Sequence, residues 1–301
     1  MEYDPLPHLK ELTTLCRVAD LSSITEAARQ LGVGQPAISK RLQSLEATYG
    51  MPLLERQGGR VKLTVAGEKV YQFAEQSLKR HSALREELNL LARGQQLLRL
   101  EVTFAIGEHL LPQLLVLFSQ KYAHYKIISR LAYSRQIQSH LATGLADLGL
   151  LESIPEHPDI LMQKWIDDEL WLVCGQHHAL TATPSIELTD LPQLSFILRE
   201  AKSSVREVLM ENLAQFQIGP LNIAMEVGSS NTIVDILGRG DHVSFLPRFS
   251  VAKAVQQGLL KHIEVNGFKA KRTLWIARHT DNLHHPVADA FIQVLRNAPI
   301  K

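Results

Sequence analysis

The stretch from Ser22 to Lys62, SSITEAARQLGVGQPAISKRLQSLEATYGMPLLERQGGRVK, constrains the fold more than any other part of the chain. Ser23, followed three residues later by Glu26, has the form of a capping box and predicts a helix through Ala27, Ala28 and Leu31. Gly32 ends it, because glycine enters the left-handed region without strain. A second helix is expected from about Gln35-Pro36, since proline in a first turn lacks only an N–H that would be unpaired anyway. Ile38, Leu42 and Leu45 fall on one face of it and should pack on the preceding helix. Its opposite face carries Pro36, Ser39, Lys40 and Gln43, beside Gln35 and Arg41, and is short, polar and cationic. Upstream, Leu9, Leu12, Cys16 and Ala19 recur at helical spacing and predict another helix with one buried face. A helix, a three-to-four-residue turn and a second helix with a polar first turn can place side chains against base edges in the major groove. From spacing alone, a three-helix packing module with a solvated polar face is the alternative.

The next residues add weight to the first reading. Leu53-Leu54-Glu55-Arg56 and Arg60-Val61-Lys62-Leu63-Thr64 read as two short strands around the turn Gln57-Gly58-Gly59. The whole chain is nearly neutral, with 32 basic and 31 acidic side chains, so any affinity for nucleic acid must come from local placement of charge. Residues 29–62 supply it, with six cations against two acids. A basic hairpin can clamp phosphates beside the groove. The expected DNA contacts are Gln35, Pro36, Ser39, Lys40, Arg41 and Gln43 on the helix, with Arg56, Arg60, Lys62 and Thr64 on the wing.

These residues resemble the LysR-type transcriptional regulators. The matching set is Ser23, Ala27-Ala28, Leu31, Gln35-Pro36-Ala37, Ser39, Leu45-Glu46, Gly50, Leu53, Arg56, Leu63-Thr64 and Ala66-Gly67, at fixed spacing without a gap. Gly34 departs from the pattern, standing where the family has a Ser or Thr cap, which puts at stake one hydroxyl contact to the DNA backbone and some capping energy, a smaller loss than the roughly 1 kcal/mol that alanine costs. Leu54 replaces a usual Phe. The resemblance implies a regulator that binds double-stranded promoter DNA under the control of a small-molecule effector.

Thr64 can cap a helix with no breaker before Gly94. Val70, Ala74, Ser77, His81, Leu84, Leu88 and Leu91 alternate steps of four and three along it, the seam of a coiled coil. A surface helix packed on its own domain is the alternative. Family resemblance implies a homodimer through this helix, often assembled into a tetramer, which suits recognition of two-fold sites.

From Leu97 the period changes to alternating strands and helices. Strands are expected at residues 97–104, 126–131, 146–151, 170–174, 195–198, 221–227, 242–246 and 272–277, and helices at 110–118, 137–143, 204–216, 232–237 and 286–296. Such alternation predicts βαβ units on a largely parallel sheet. Two similar lobes suggest a clamshell with its ligand between strand C-termini and helix N-termini. The region resembles the family's effector domain, of periplasmic-binding-protein type, through Gly107 with Leu111-Pro112, Gly144 with Ala146-Asp147-Leu148, Asp168-Glu169-Leu170, and Gly240 ahead of Phe245-Leu246-Pro247. His242 stands where the family commonly has a second glycine.

The fold class expected is therefore α/β: a winged helix-turn-helix over residues 1–64 (helix-turn-helix about 24–43), a linker helix over 65–94, and an effector domain over 97–301. Lobe I would comprise 97–168 and 271–301, with crossovers near 165–170 and 268–272, and lobe II 169–270. Thr103, Phe104, Ser203, Ser204, Ser229, Ser230 and Asn231 open helices at the expected cleft. Hydroxyls and N–H groups there favour a small carboxylate or oxyanion, with Lys202 and Arg206 nearby.

No catalytic residues, metal site or cofactor are expected. No nucleophile elbow, phosphate loop or acid pair points to an enzyme. His177-His178 and His284-His285 are adjacent pairs without metal-ligand spacing. Cys16 and Cys174 read as reduced buried thiols, and Cys174 alone argues against the cysteine-pair mechanism of the family's peroxide-sensing branch. The N-terminus has no apolar leader and no long apolar run follows, so a cytoplasmic protein without membrane contact is expected. That lack of a leader also weighs against the remaining rival, a solute-binding module with a protein-interaction head.

Overall fold

A computed structural model of the chain describes residues 6–58, 60–153, 157–216 and 218–299. Contacts divide the chain into two units on either side of Ala92.

The first unit contains α1 (Leu9–Leu21), α2 (Ile24–Leu31), α3 (Gln35–Tyr49), a hairpin of β1 (Leu54–Gln57) and β2 (Arg60–Leu63), and α4 (Val65–Leu91). The buried stripe of α1 is Leu12, Leu15, Cys16 and Val18. Leu9 is exposed and Ala19 half-buried, so the face is turned from the one expected. Ser23 caps α2, its Oγ accepting the Glu26 N–H at 3.2 Å. Only that half of the capping box forms, because the Glu26 carboxylate turns instead to the Arg29 guanidinium. Gly32 closes α2 at φ +64°, and α3 then buries Ile38, Leu42 and Leu45 against it. Gly34 caps α3 without a side-chain bond, the consequence of the missing hydroxyl.

The hairpin pairs Leu54 with Leu63 and Gln57 with Arg60, and Gly58 turns at φ +61°. Gly59 of the expected turn lies outside the described residues. The wing is tied to the helices at both ends. Glu46 Oε1 accepts the N–H groups of Leu53 (2.8 Å) and Leu54 (3.3 Å), and the Val61 N–H donates to the Ser22 carbonyl at 3.2 Å.

Thr64 forms the joint to α4. Its Oγ1 accepts the Gly67 N–H and donates to the Pro52 carbonyl, both at 2.9 Å, while its own N–H donates to Leu53 at 3.0 Å. A Cβ on Gly67 would lie 1.9 Å from the Leu53 carbonyl oxygen, a backbone atom that cannot yield without opening this joint. Gly67→Ala is therefore expected to destabilise the head by about 2 kcal/mol, lowering its calorimetric transition by roughly 10 °C. A transition within about 1 °C of the parent chain would show that the joint relaxes freely.

The 27 residues of α4 make a rod of roughly 40 Å. Val70 and Ala74, expected in an intersubunit seam, are instead buried in the head's own core beside Leu12, Leu15 and Cys16. They lie on the turns that pack on α1, where Tyr71 also donates to Asp20 at 2.7 Å. His81, Leu84, Leu88 and Leu91 are exposed.

The second unit begins with β3 (Gln96–Val102), α5 (Phe104–His109), α6 (Leu111–Lys121), β4 (Tyr125–Leu131), α7 (Ser134–Ala142) and β5 (Leu148–Leu151). It continues through β6 (Ile160–Gly175), β7 (Ser185–Glu187), β8 (Ser195–Arg199), α8 (Ser204–Leu213), β9 (Asn222–Val227), α9 (Ser230–Leu237) and β10 (Val243–Pro247). The chain ends with α10 (Arg248–Gln256), β11 (Leu260–Asn266), β12 (Ala270–His279) and α11 (Pro286–Asn297). Phe104 is not a strand residue: β3 stops at Val102, and Thr103 leads into α5.

The sheet order is β4-β3-β5-β12-β6-β10-β8-β9, with β11 on β6 and β7 on β11. β3 lies between β4 and β5, and β8 between β9 and β10, parallel in each case, so one topology occurs twice. The sheet is mixed rather than largely parallel, because β6 and β12 run antiparallel to their neighbours. β6 also runs on through Asp167-Asp168-Glu169, where a break was expected. The side chain of Asp168 is nearly covered and accepts from Arg272 Nε across the strand pair at 2.8 Å, so the acids belong to the ladder and not to a turn. Leu98, Leu100, Phe118 and Phe291 fill one lobe, and Leu172, Phe196, Leu198 and Phe245 the other. Cys16 and Cys174 are buried free thiols whose pKa burial pushes up to about 11. Among the described residues no helix is long and apolar enough to cross a membrane.

Candidate DNA-reading face and effector cleft

In the head, burial of Ile38, Leu42 and Leu45 leaves the other side of α3 in solvent. Gln35, Pro36, Ser39, Lys40 and Gln43 are all exposed there. Gln35 Nε2 donates to Thr25 Oγ1 at 2.8 Å, bringing the start of α3 to that of α2. Arg41 lies one step round and is half-buried, donating to Thr14 of α1 at 3.4 Å. On the wing, Arg56, Arg60 and Lys62 are exposed, with Lys62 Nζ donating to Gln57. The polar atoms of Thr64 are engaged in the joint to α4.

In the second unit the repeated topology brings α5, α7, α8 and α9 to strand C-terminal ends, at the crevice between the lobes. The start of α7 meets the start of α8 there, with Ser134 Oγ and Ser204 Oγ sharing a buried hydrogen bond of 2.8 Å. Thr103, Phe104, Tyr133, Glu152, Arg199, Ser203 and Ser204 line the crevice, which has room for about one water. The Thr103 hydroxyl is buried and finds no hydrogen-bond partner among the described residues.

Arg199, at the end of β8, is the cation at the centre, and only 2% of it is exposed. Its Nη1 donates to Ser230 Oγ at 3.2 Å, while Nε and Nη2 donate to the two carboxylate oxygens of Glu200 at 2.8 and 3.0 Å. The guanidinium lies 6.0 Å from the centroid of Phe104, whose ring packs 5.0 Å from that of Tyr133. Tyr133 completes the group by donating to Glu200 Oε1 at 3.1 Å. Burial works to raise the pKa of Glu200, but the Arg199 hydrogen bonds and charge outweigh it and hold the carboxyl below its ordinary range. Burial and then the charge of Arg199 depress His109 below the ordinary histidine value.

Of the expected effector residues, Thr103, Phe104, Ser203 and Ser204 come together here, and Ser230 joins them through Arg199. Ser229 is the N-cap residue of α9 and is not part of the crevice lining. Asn231 is exposed and donates to Glu108 at 3.4 Å. The positive charge is Arg199 rather than Lys202, which is exposed, or Arg206, which donates to the Arg199 carbonyl at 3.1 Å. Sequence reading missed Arg199, Glu200, Tyr133 and Ser134. The one signal was an Arg-Glu pair ending the apolar run Phe196-Ile197-Leu198 just ahead of Ser203-Ser204.

A winged helix-turn-helix joined to a two-lobed effector-binding domain defines a ligand-controlled DNA-binding regulator. The family model described as "Bacterial regulatory helix-turn-helix protein, lysR family" matches residues 9–68, and "LysR substrate binding domain" matches residues 92–299. The chain belongs to the LysR family of transcriptional regulators, which are not enzymes. It is 30% identical over 295 residues to a probable RuBisCO transcriptional regulator of Trichormus variabilis, covering 95% of this chain and 86% of that one. Its fold is similar to that of full-length CbnR complexed with its target DNA (TM-score 0.73, 22% identity, 96% of this chain and 99% of that one). The regulatory domain of CcmR from Synechocystis PCC6803, in complex with 2-PG, matches with a TM-score of 0.61 at 23% identity, over 66% of this chain and 95% of that one.

Proposed function

We propose that the chain acts as a homodimer that reads a two-fold promoter site and responds to a small anion, a carboxylate or oxyanion, held between the lobes. Residues 1–64 form the reading head, 65–94 the pairing helix, and 97–301 the effector domain, with lobe I at 97–168 and 271–301 and lobe II at 169–270. Gln35, Pro36, Ser39 and Gln43 face the bases. Lys40, Arg41, Arg56, Arg60 and Lys62 serve the phosphates, and Thr64 holds the wing. Such a protein works in the cytoplasm, where its DNA is, and pairing of dimers into tetramers fits the same design.

The observation that carries the effector reading is Arg199, a buried cation in a crevice edged by hydroxyls of both lobes, one of them without a partner among the described residues. A buried guanidinium with its planar fork suits carboxylate or oxyanion recognition, and helix N-termini reinforce it. CcmR, whose regulatory domain binds 2-PG, supports the same ligand class.

Thermal shift and calorimetric titration of the full chain against small carboxylates, phosphates and sulfate test this. An anion that binds should raise the melting temperature of the parent chain. Arg199→Met should weaken it at least tenfold, since a charge-assisted hydrogen bond contributes roughly 1.5–3 kcal/mol. Equal binding by parent and Arg199→Met would remove the anion from this crevice.

A further inference from the structure

We propose that Glu200 is a tethered competitor for the effector: its carboxylate takes the Arg199 fork that an incoming anion would use, and the effector binds by displacing it. The inference rests on the crevice being the anion site and adds how that site is guarded.

Three observations carry it. First, Arg199 presents Nε and Nη2 to the two oxygens of one carboxylate, the paired geometry by which a guanidinium recognises a bound carboxylate or oxyanion. Nη1 also donates to Ser230, so three of the five N–H groups are taken and the paired Nε–Nη2 face is closed to an anion while Glu200 stays. Second, the same carboxylate receives Tyr133 from lobe I and Arg199 from lobe II, bridging the clamshell as a ligand would. Third, closure of the following turn does not depend on the side chain. Glu200 is the first residue beyond β8, and its turn is closed by the backbone, with the Ser203 N–H donating to the Glu200 carbonyl at 2.9 Å. Rotation of the side chain frees the fork and leaves that turn intact.

Electrostatics favour displacement over joint binding. Glu108 lies close to the group, and Glu152 on the crevice wall is already paired with Arg272 at 3.3 Å, so an anion added beside Glu200 would bring another negative charge to a guanidinium that is already neutralised. A tethered carboxylate competes at an effective concentration of order millimolar or above. Apparent affinity falls with the fraction of molecules whose fork is free, so the sensor answers only to high effector concentrations. Displacement also breaks the Tyr133–Glu200 bond between the lobes. The anion thereby gains different contacts in the two arrangements, which is what coupling to lobe geometry requires.

Titration calorimetry with sulfate, phosphate and acetate on the full parent chain, Glu200→Gln, Glu200→Asp and Arg199→Met tests the proposal. Whichever probe the parent binds, Glu200→Gln should bind at least about tenfold more tightly at one site per chain. Glu200→Asp keeps the charge but is too short to span the fork, so it should follow Glu200→Gln if the carboxylate competes directly. Should it match the parent, repulsion at a distance replaces competition and the proposal falls. Equal affinity in parent and Glu200→Gln, with binding still lost in Arg199→Met, overturns the competitor and leaves the anion site standing. Equal affinity in parent and Arg199→Met overturns the site itself. Failure of Glu200→Gln, folded by near-ultraviolet dichroism, to bind any of the three probes also refutes it, since a freed fork should accept the simplest oxyanions.

Discussion

Exchanging Ser39, Lys40 and Gln43 together for alanine is expected to weaken binding to the operator by about a thousandfold, near 4 kcal/mol, with Ser39 and Gln43 each supplying a base contact of roughly 1–3 kcal/mol and Lys40 a phosphate contact. The three side chains stand on the solvent side of α3, opposite Ile38, Leu42 and Leu45, which fix that helix in the head. Their removal takes nothing from the core, and alanine is a better helix former than any of them. Melting temperature should therefore hold or rise slightly while affinity for the specific site collapses. The two classes of contact separate by salt. Lys40→Ala alone should lower the slope of log affinity against log salt by about one, whereas Gln43→Ala should lower discrimination between operator and mismatched duplex at constant slope. Arg56→Ala and Arg60→Ala on the wing should weaken all duplexes alike. A triple variant that retains full affinity and specificity would move DNA reading away from α3.

How much of this could be read from the chain depended on whether a feature is local. The head was legible because its signals are short-range: a serine cap, Gly32 in the left-handed region, a proline in the first turn of α3, and a three-residue apolar face. Even there, the face of α1 was half legible: Leu12 and Cys16 are buried as expected, but Leu9 and Ala19 fit the helical spacing as well as the buried Leu15 and Val18 do. The boundaries of β6 were misread because Asp167-Asp168-Glu169 looks like a loop until Arg272, more than a hundred residues on, is placed across from Asp168. α10 was missed for a different reason: its apolar residues, among them Phe249, Val251, Ala254 and Val255, follow directly on the apolar strand β10, and no side-chain cap marks where the helix begins. The serines of the cleft were legible as helix starts, which each of them is locally. Their convergence with Arg199 and Tyr133 depends on two lobes closing, a contact between residues 133 and 200 that no window of sequence contains.

The linker helix shows how the same pattern can be divided between two tasks, and yields the second large effect. Its seven seam positions read as one continuous stripe, yet Val70 and Ala74 are sealed into the head beside α1. Farther along, Leu84, Leu88 and Leu91 stay 43%, 54% and 52% exposed in the single chain, at spacings of four and three. Fully covering a leucine contributes roughly 1.5–3 kcal/mol, and in a symmetric pair every contact occurs twice. The last two turns of α4 thus leave apolar surface that the proposed dimer would cover, about half a leucine's burial at each of three positions on each chain, while the first turns pack on the head. Leu84→Asp with Leu88→Asp places four carboxylates in the seam of a pair. Sedimentation at micromolar concentration should then report monomers, with helicity of the head maintained by the untouched Val70–Ala74 anchor. Operator affinity should fall by more than a hundredfold, because a lone head loses the second half-site, while binding to a single half-site should stay near the parent level. A doubly substituted chain that still sediments as a dimer would place the pairing surface elsewhere than on α4.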